Sequence, residues 1–398
     1  GRAVRMLSRI PPVPGRDLRL HLDVELQAVA EHAFGDYLGG LVALDPNTGG
    51  VLALVSKPGF DPNLFVDGID PETWKSLNES PERPMVNRVL RGIYPPGSTI
   101  KPFMALAGLE LGLRKPADSI VDPGFYSLPN SRHQFRDWKR GGHGVVDLRR
   151  SISQSCDVYY YRLAVDMGID RMHDTLAQFG LGEKTGIDLE GESSGLLPSR
   201  EWKQRRFKQP WYPGETVIAG IGQGYQLTTP LQLATATAML ANGGKRIEPR
   251  LVQAVRDPLA HTWQPQPGGV RGQMAIAPAN LAVVRQGLVD VMRPGGTASR
   301  AAAGAPYTIA GKTGTAQVVG IKQGARYEAS RLSRQFRDHA LFIAYAPAEN
   351  PTIVVAVMVE NGGHGGSTAA PIARAVFDYY LTGKRPGEMK LEVESAAD

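Results

Sequence analysis

The segment Tyr94-Pro95-Pro96-Gly97-Ser98-Thr99-Ile100-Lys101 places a Gly-Ser junction just ahead of an apolar-periodic run that predicts a helix over Thr99–Leu113. Ser98 falls in its first turn. Side chains three apart share a helical face, so Lys101 can reach the Ser98 hydroxyl, and the free amides at a helix start favour developing negative charge. A serine hydroxyl is a poor nucleophile until a base removes its proton, and a lysine does so once desolvation or a second cation lowers its pKa. The plainer alternative is an N-capping serine followed by a surface lysine. Because a Ser-x-x-Lys spacing arises by chance roughly once or twice in a chain of ordinary composition, this motif decides nothing alone.

A second group of reactive residues lies in Thr308-Ile309-Ala310-Gly311-Lys312-Thr313-Gly314-Thr315-Ala316-Gln317. A strand with this composition can hydrogen-bond an extended peptide along its edge, bind a carboxylate through Thr313 and Thr315, and permit close approach at Gly314. Lys184-Thr185-Gly186 repeats the tripeptide but has loop character, so the role goes to Lys312, whose alternative is a solvated edge lysine that discourages strand pairing. Between the two lies Ser151-Ile152-Ser153-Gln154-Ser155-Cys156-Asp157, on a helix expected over Leu148–Met167. Ser155 and Asp157 could complete a proton path or simply be polar residues on a helix face.

These segments need elements to bring them together. Two apolar runs flank the turn Asp45–Gly50 and read as a β-hairpin; Tyr307–Val319, Ala340–Ala346 and Thr352–Val359 read as three further strands, followed by an amphipathic helix over Ala369–Leu381. The stretch between the two sets is mostly helical in pattern, with helices expected over Thr99–Leu113, Leu148–Met167, Asp170–Phe179 and Pro230–Asn242. The expected fold is α+β: a five-stranded, mainly antiparallel sheet with flanking helices and a helical lobe, about 98–300, inserted into it. A site belongs at the junction of the two lobes. Residues 1–17 are basic and Pro-rich and read as a connector or the stub of another domain; 18–384 form the main domain, and 385–398 a polar tail.

Composition sets the outer limits. Hydrophobic residues at 42% and charged residues at 21% fit a globular chain with a sizeable core and exclude wholesale disorder. A balance of 45 Lys+Arg against 39 Asp+Glu is a mild excess that suits an anionic surface such as a membrane face and is too dilute to argue for nucleic acid. The single cysteine, Cys156, excludes an intrachain disulfide. The longest apolar stretches fall far short of the ~20 residues that cross a bilayer, and Gly1–Pro14 reads as the middle of something, so the chain is expected to be a portion of a longer, anchored protein.

The three segments keep the chain order Ser-x-x-Lys, Ser-x-Asp, Lys-Thr-Gly, which is similar to the motif order of penicillin-binding proteins and class A β-lactamases. YPPGSTIKPF, DWKRGGHG, REWKQRRFKQPWYPGET, GIGQGYQLTTPLQLA and TIAGKTGTAQ resemble more specifically the elongation-type penicillin-binding protein 2 group, over nearly everything from Leu18 to about Lys384. The resemblance implies a serine β-lactamase/D,D-transpeptidase-like fold and a serine D,D-transpeptidase that crosslinks peptidoglycan stem peptides. Ser98 would attack the carbonyl between two terminal D-alanines, Lys101 would take its proton, and Ser155 would pass it to the leaving D-Ala. Backbone amides of Ser98 and Thr315 would form the oxyanion hole, with Lys312, Thr313 and Thr315 holding the substrate carboxylate. Acylation by β-lactam antibiotics follows from the same chemistry. The resemblance also implies the periplasmic side of the inner membrane and a membrane glycan polymerase as partner, reached through sequence outside this chain. One departure is Asp157, where the broader family has Asn; an ionised Asp only accepts hydrogen bonds, and pairing with Lys101 is one reading of it.

Cys156 sits inside the middle segment, and a 100° step per helical residue should turn it away from the cleft. Together with Asp122, Asp137 and His143 it makes a closed four-ligand set suited to Zn²⁺, or else a buried apolar cysteine among turn residues. Some proteins of the resembled group carry this set as a structural zinc site. Asp118, His133 and Asp147 are nearby substitutes. The basic stretch Gly320–His339 reads as a solvated surface loop or, alternatively, as a loop at the cleft mouth; Trp138, Trp202 and Trp211 read as loop-packing residues rather than glycan contacts, and Gln223 either faces the cleft or belongs to Gly-rich packing. Two competing functions remain: a serine β-lactamase, which needs a water-activating base that the sequence does not reveal, and a non-catalytic β-lactam sensor or structural module.

Overall fold

The computed structural model describes residues 8, 12, 15–319 and 333–387. Most of the 1–17 connector, residues 320–332 of the basic stretch and 388–398 of the tail lie outside the described residues. In chain order, helix α1 (Val24–Phe34) leads into strands β1 (Gly39–Leu44) and β2 (Val51–Lys57). The lobe follows with α2 (Lys101–Glu110), α3 (Leu148–Ser153), α4 (Asp157–Met167), α5 (Pro230–Asn242) and α6 (Pro278–Val291). The chain then returns as β3 (Ala310–Ala316), β4 (His339–Ala346), β5 (Ile353–Val359) and α7 (Ala369–Thr382).

The five strands form one antiparallel sheet in the order β3-β4-β5-β1-β2, which leaves β3 as an edge strand. β4 and β5 are apolar at almost every position and buried along their length, so both faces of the sheet are covered. α1 and α7 pack on one another and on the sheet; α5 packs on β1, β4 and β5, while α6 lies against β3 and α3. α5 starts at a capping box in which Thr229 Oγ1 accepts from Gln232 N and Gln232 Oε1 accepts from Thr229 N, with Pro230 at its first position.

α2 is apolar nearly all round and buried from Lys101 to Leu109. Phe103 on this helix meets Phe179 edge to face at 5.0 Å, and each such buried side chain contributes about 1.5–3 kcal/mol. This packing fixes α2 so firmly that Lys101, its first residue, is wholly enclosed.

Four expectations are corrected. Ser98 lies in a 3₁₀ turn, Gly97–Ile100, ahead of α2 rather than inside one long helix. β3 is shorter than Tyr307–Val319, and the lobe contains strand pairs as well as helices: Ser119–Asp122 with Gly144–Asp147, and Phe125–Tyr126 with Phe135–Arg136. Lastly, the helix expected over Leu148–Met167 breaks in two. Ser155 N donates to Ile152 O and Cys156 N to Ser151 O, the paired bonds of a Schellman ending. The left-handed residue that this ending requires is usually glycine; here it is Ser155, at φ 56°. With neither Gly nor Pro at 154–156, no stop signal marks this break.

A Cβ in the left-handed region costs roughly 1–2 kcal/mol, a strain that the surroundings of Ser155 must offset. Ser155→Gly and Ser155→Ala remove the same hydroxyl, but only the alanine retains the Cβ. The Ala variant is expected to be less stable than the Gly variant by about 1 kcal/mol in urea unfolding. Equal midpoints would mean that Ser155 is unstrained.

Candidate active site

The turn carrying Ser98 is held against the free edge of β3 by close backbone approach. Gly97 has φ 54°, and a Cβ there would collide with Thr315 O and stand 3.3 Å from Thr315 N. Both polar backbone atoms of Thr315 therefore face the Ser98 turn, on the side of β3 away from β4. Gly97 N donates to Gly222 O at 2.9 Å, and Gln223 Nε2 donates to Thr315 O at 3.0 Å. At Gly314 a Cβ would lie 2.7 Å from Thr99 Cγ2, so a side chain there would push the strand off the turn. Thr313 Oγ1 is 2.7 Å from Thr297 Oγ1, a partner with no motif to reveal it.

Behind the turn, two fully buried lysines share one hydroxyl. Lys101 Nζ donates to Ser155 O at 2.8 Å, to Ser155 Oγ at 3.1 Å and to Asp157 Oδ1 at 2.6 Å. Lys312 Nζ donates to Ser155 Oγ and to Thr313 O, both at 2.9 Å. Thus Lys101, Ser155, Asp157 and Lys312 converge, beside a backbone edge where Ser98, Thr313, Gly314 and Thr315 meet. Ser98 Oγ itself makes no hydrogen bond among the described residues: all three protons of the Lys101 ammonium go to Ser155 and Asp157. Burial drives the Lys312 pKa well below the ordinary lysine value, and the charge on Lys101 adds to this. Burial also raises the Asp157 carboxyl, while the Lys101 ammonium opposes it. The repeated tripeptide stays apart from this cluster, with the amides of Thr185 and Gly186 bonded to Glu192.

Asp122, Asp137, His143 and Cys156 also come together, buried, with one potential ligand atom from each within 4.8 Å of all the others. His143 Nδ1 lies 2.8 Å from Asp122 Oδ2 and 3.4 Å from Asp137 Oδ1, and the Cys156 thiol donates to Asp122 Oδ2 at 3.4 Å. His143 Nε2 is buried with no partner. Burial, with Asp137 and Asp122 adding to it, pushes the thiol pKa up. For His143, burial disfavours the imidazolium, but the bonds to Asp137 and Asp122 prevail and raise its pKa. Two enclosed carboxylates, an imidazole with a spare nitrogen and a thiol fit a divalent cation that takes thiolate and imidazole donors. The Cys156 thiol joins Asp122, Asp137 and His143, and the residue caps α4 in an extended conformation rather than lying mid-helix. Asp118, His133 and Asp147 are outside this group; Asp147 caps α3 instead.

Residues 39–378 match the family described as the penicillin binding protein transpeptidase domain. The chain belongs to that family. It is 46% identical over 387 residues to the peptidoglycan D,D-transpeptidase MrdA of Acinetobacter baumannii, which covers 97% of this chain and 57% of that protein. It therefore spans little more than half the length of this curated relative. Among solved structures it resembles Pseudomonas aeruginosa PBP2 in complex with WCK 5153, with a TM-score of 0.86 and 46% identity, covering 98% of this chain and 80% of that one. It also resembles Helicobacter pylori PBP2 in complex with MreC, with a TM-score of 0.79 and 33% identity, covering 92% of this chain and 64% of that one. The five-stranded α+β fold is that of this family.

Because the folded-state pKa of Lys312 is depressed, the unfolded chain binds more protons between that value and 10.5. Stability therefore rises with pH across this window. Lys312→Met removes the titrating group, so wild type is expected to gain stability relative to the variant as pH is raised from neutrality toward 10.5. Parallel pH dependences in denaturant titrations of the two proteins would show that Lys312 titrates normally.

Proposed function

We propose that this chain is the catalytic part of a peptidoglycan D,D-transpeptidase, and that Ser98 is acylated by stem peptides and by β-lactams. The observation that carries this reading is the pair of enclosed lysines on Ser155 Oγ, set behind a serine turn at the open edge of β3. Ser98 Oγ would attack the carbonyl of a D-Ala-D-Ala amide laid along that edge, with the Ser98 and Thr315 amides receiving the oxyanion. For Lys101 to act as base it must first be neutral. Asp157 Oδ1, 2.6 Å from Lys101 Nζ, would be the acceptor for that proton. Lys101 would then take the Ser98 proton, and Ser155, touching both lysines, would relay a proton to the departing D-Ala amine. Lys312, Thr313 and Thr315 would hold the terminal carboxylate, and the amine of a second stem peptide would resolve the acyl-enzyme.

The four buried donors would hold a structural Zn²⁺, which on binding would take up the thiolate and clamp the DWKRGGHG loop to the start of α4. The reading also extends to the periplasmic face of the inner membrane. There a membrane glycan polymerase of the elongation machinery would be engaged through sequence outside this chain, and the complex of Helicobacter pylori PBP2 with MreC supports assembly with further proteins.

Intact mass after exposure to benzylpenicillin is expected to increase by one penicillin per chain, with the label mapping to Ser98. Ser98→Ala should abolish the adduct together with D-Ala release from a stem pentapeptide. Rapid loss of the adduct with drug hydrolysis would favour a β-lactamase, and a stable adduct without D-Ala release a sensor. Protein purified without chelator is expected to contain about one zinc per chain, lost in Cys156→Ala; zinc absent at stoichiometric level would remove the metal reading.

A further inference from the structure

We propose that Trp138, which the sequence suggests only packs a loop, is a positioning residue that holds the two residues, Ser155 and Asp157, on which the Lys101 ammonium bonds. The inference rests on the reading of Ser98 as the acylated nucleophile. Trp138 is 61% exposed, and a large indole left in solvent gains little by burial. Its polar atoms, by contrast, are committed. Nε1 donates to Ser155 O at 3.0 Å and to Gln154 O at 3.2 Å, and its backbone N donates to Asp157 Oδ2 at 3.0 Å.

Two of the three residues that accept from Trp138, Ser155 and Asp157, also accept from Lys101. Ser155 O takes the Trp138 indole N–H and a Lys101 proton together, while Asp157 accepts Lys101 on Oδ1 and Trp138 on Oδ2. The indole bond also fastens the carbonyl of the one residue in the left-handed break between α3 and α4, where the backbone is strained and most in need of a restraint. Trp138 is placed in turn by its neighbour. Asp137 Oδ2 accepts from Asp157 N at 2.7 Å and from Val158 N at 3.2 Å, capping α4 from a distant loop. The indole ring meets His143 edge on at 5.6 Å. Loss of the indole N–H would free Ser155 O to move, and Ser155 Oγ and Lys101 Nζ with it, while the apolar core and the four buried donors stay in place.

The test replaces the N–H without emptying the site. Trp138→Phe removes the donor, and substitution of Trp138 by β-(3-benzothienyl)alanine preserves ring size and face while replacing N–H with sulfur. Stopped-flow acylation by a chromogenic cephalosporin is measured on metal-replete protein, with wild type confirming that acylation occurs. Both variants are expected to lose about tenfold or more in the limiting acylation rate, part of the ~10²–10⁴ that positioned proton transfer contributes. The half-saturating drug concentration, metal content and melting temperature should remain at wild-type values in the benzothienyl variant. An unchanged limiting rate in that variant would overturn the proposal. So would a rate loss accompanied by lost metal or lowered melting, which would make Trp138 a structural residue only. If wild type is not acylated at all, the reading of Ser98 fails instead.

Discussion

The site depends on one constraint: two lysine side chains are taken entirely out of water and set around a single serine hydroxyl. Burial of an ammonium costs several kcal/mol even after relaxation, and a second lysine nearby adds repulsion. The chain offsets this with one carboxylate, Asp157, and with carbonyl oxygens from Ser155 and Thr313. Burial, with the nearby Lys101 charge adding to it, pushes the Lys312 pKa well down. On the proposed function, a lysine whose charge is disfavoured would suit a proton relay, so the unfavourable electrostatics and the chemistry would be the same feature.

Holding such an arrangement requires the backbone to be rigid where the lysines anchor. Lys101 starts a helix buried on every side, and Lys312 lies on a strand whose register against β4 is continuous from Ala310 to Ala316. Ser155 has no comparable support from regular structure, since it occupies a break between helices. Its support is tertiary: Asp137 caps the following helix, and the tripeptide Asp137-Trp138-Lys139 lies over the break. Asp137 joins the buried donor cluster to the lysine cluster by accepting from Asp157 N, so the two are one mechanical unit.

Much of this was legible in the sequence because it depends on local pattern. The hairpin, the late strands and the α5 boundaries all follow from apolar periodicity and turn residues, and Pro230–Asn242 agrees at both ends because a capping box and a C-terminal glycine mark it. The break at Ser155 was not legible, because a serine in the left-handed region looks like any helical serine until tertiary bonds hold it there. The same is true of Thr297 and Trp138. Each contributes a polar atom across a long sequence separation, and no spacing rule encodes such a contact. Gln223 was ambiguous among glycines, and only its bond to Thr315 O ties it to the strand edge.

The choice between synthesis and hydrolysis can be argued from what the buried groups are already doing. Resolving an acyl-enzyme with water requires a base with a free acceptor oxygen or nitrogen near the ester. Within the lysine cluster the carboxylate is Asp157, and both its oxygens are occupied, one by Lys101 Nζ and the other by Trp138 N. Ser155 Oγ lies between two lysines, and the two lysines point inward at it. An incoming amine needs less help than water, since it is the better nucleophile and has only to lose a proton as the new amide forms. On the function proposed above, a site built this way would be acylated and leave its ester waiting for an amine, which would suit crosslinking and would also let a β-lactam adduct persist.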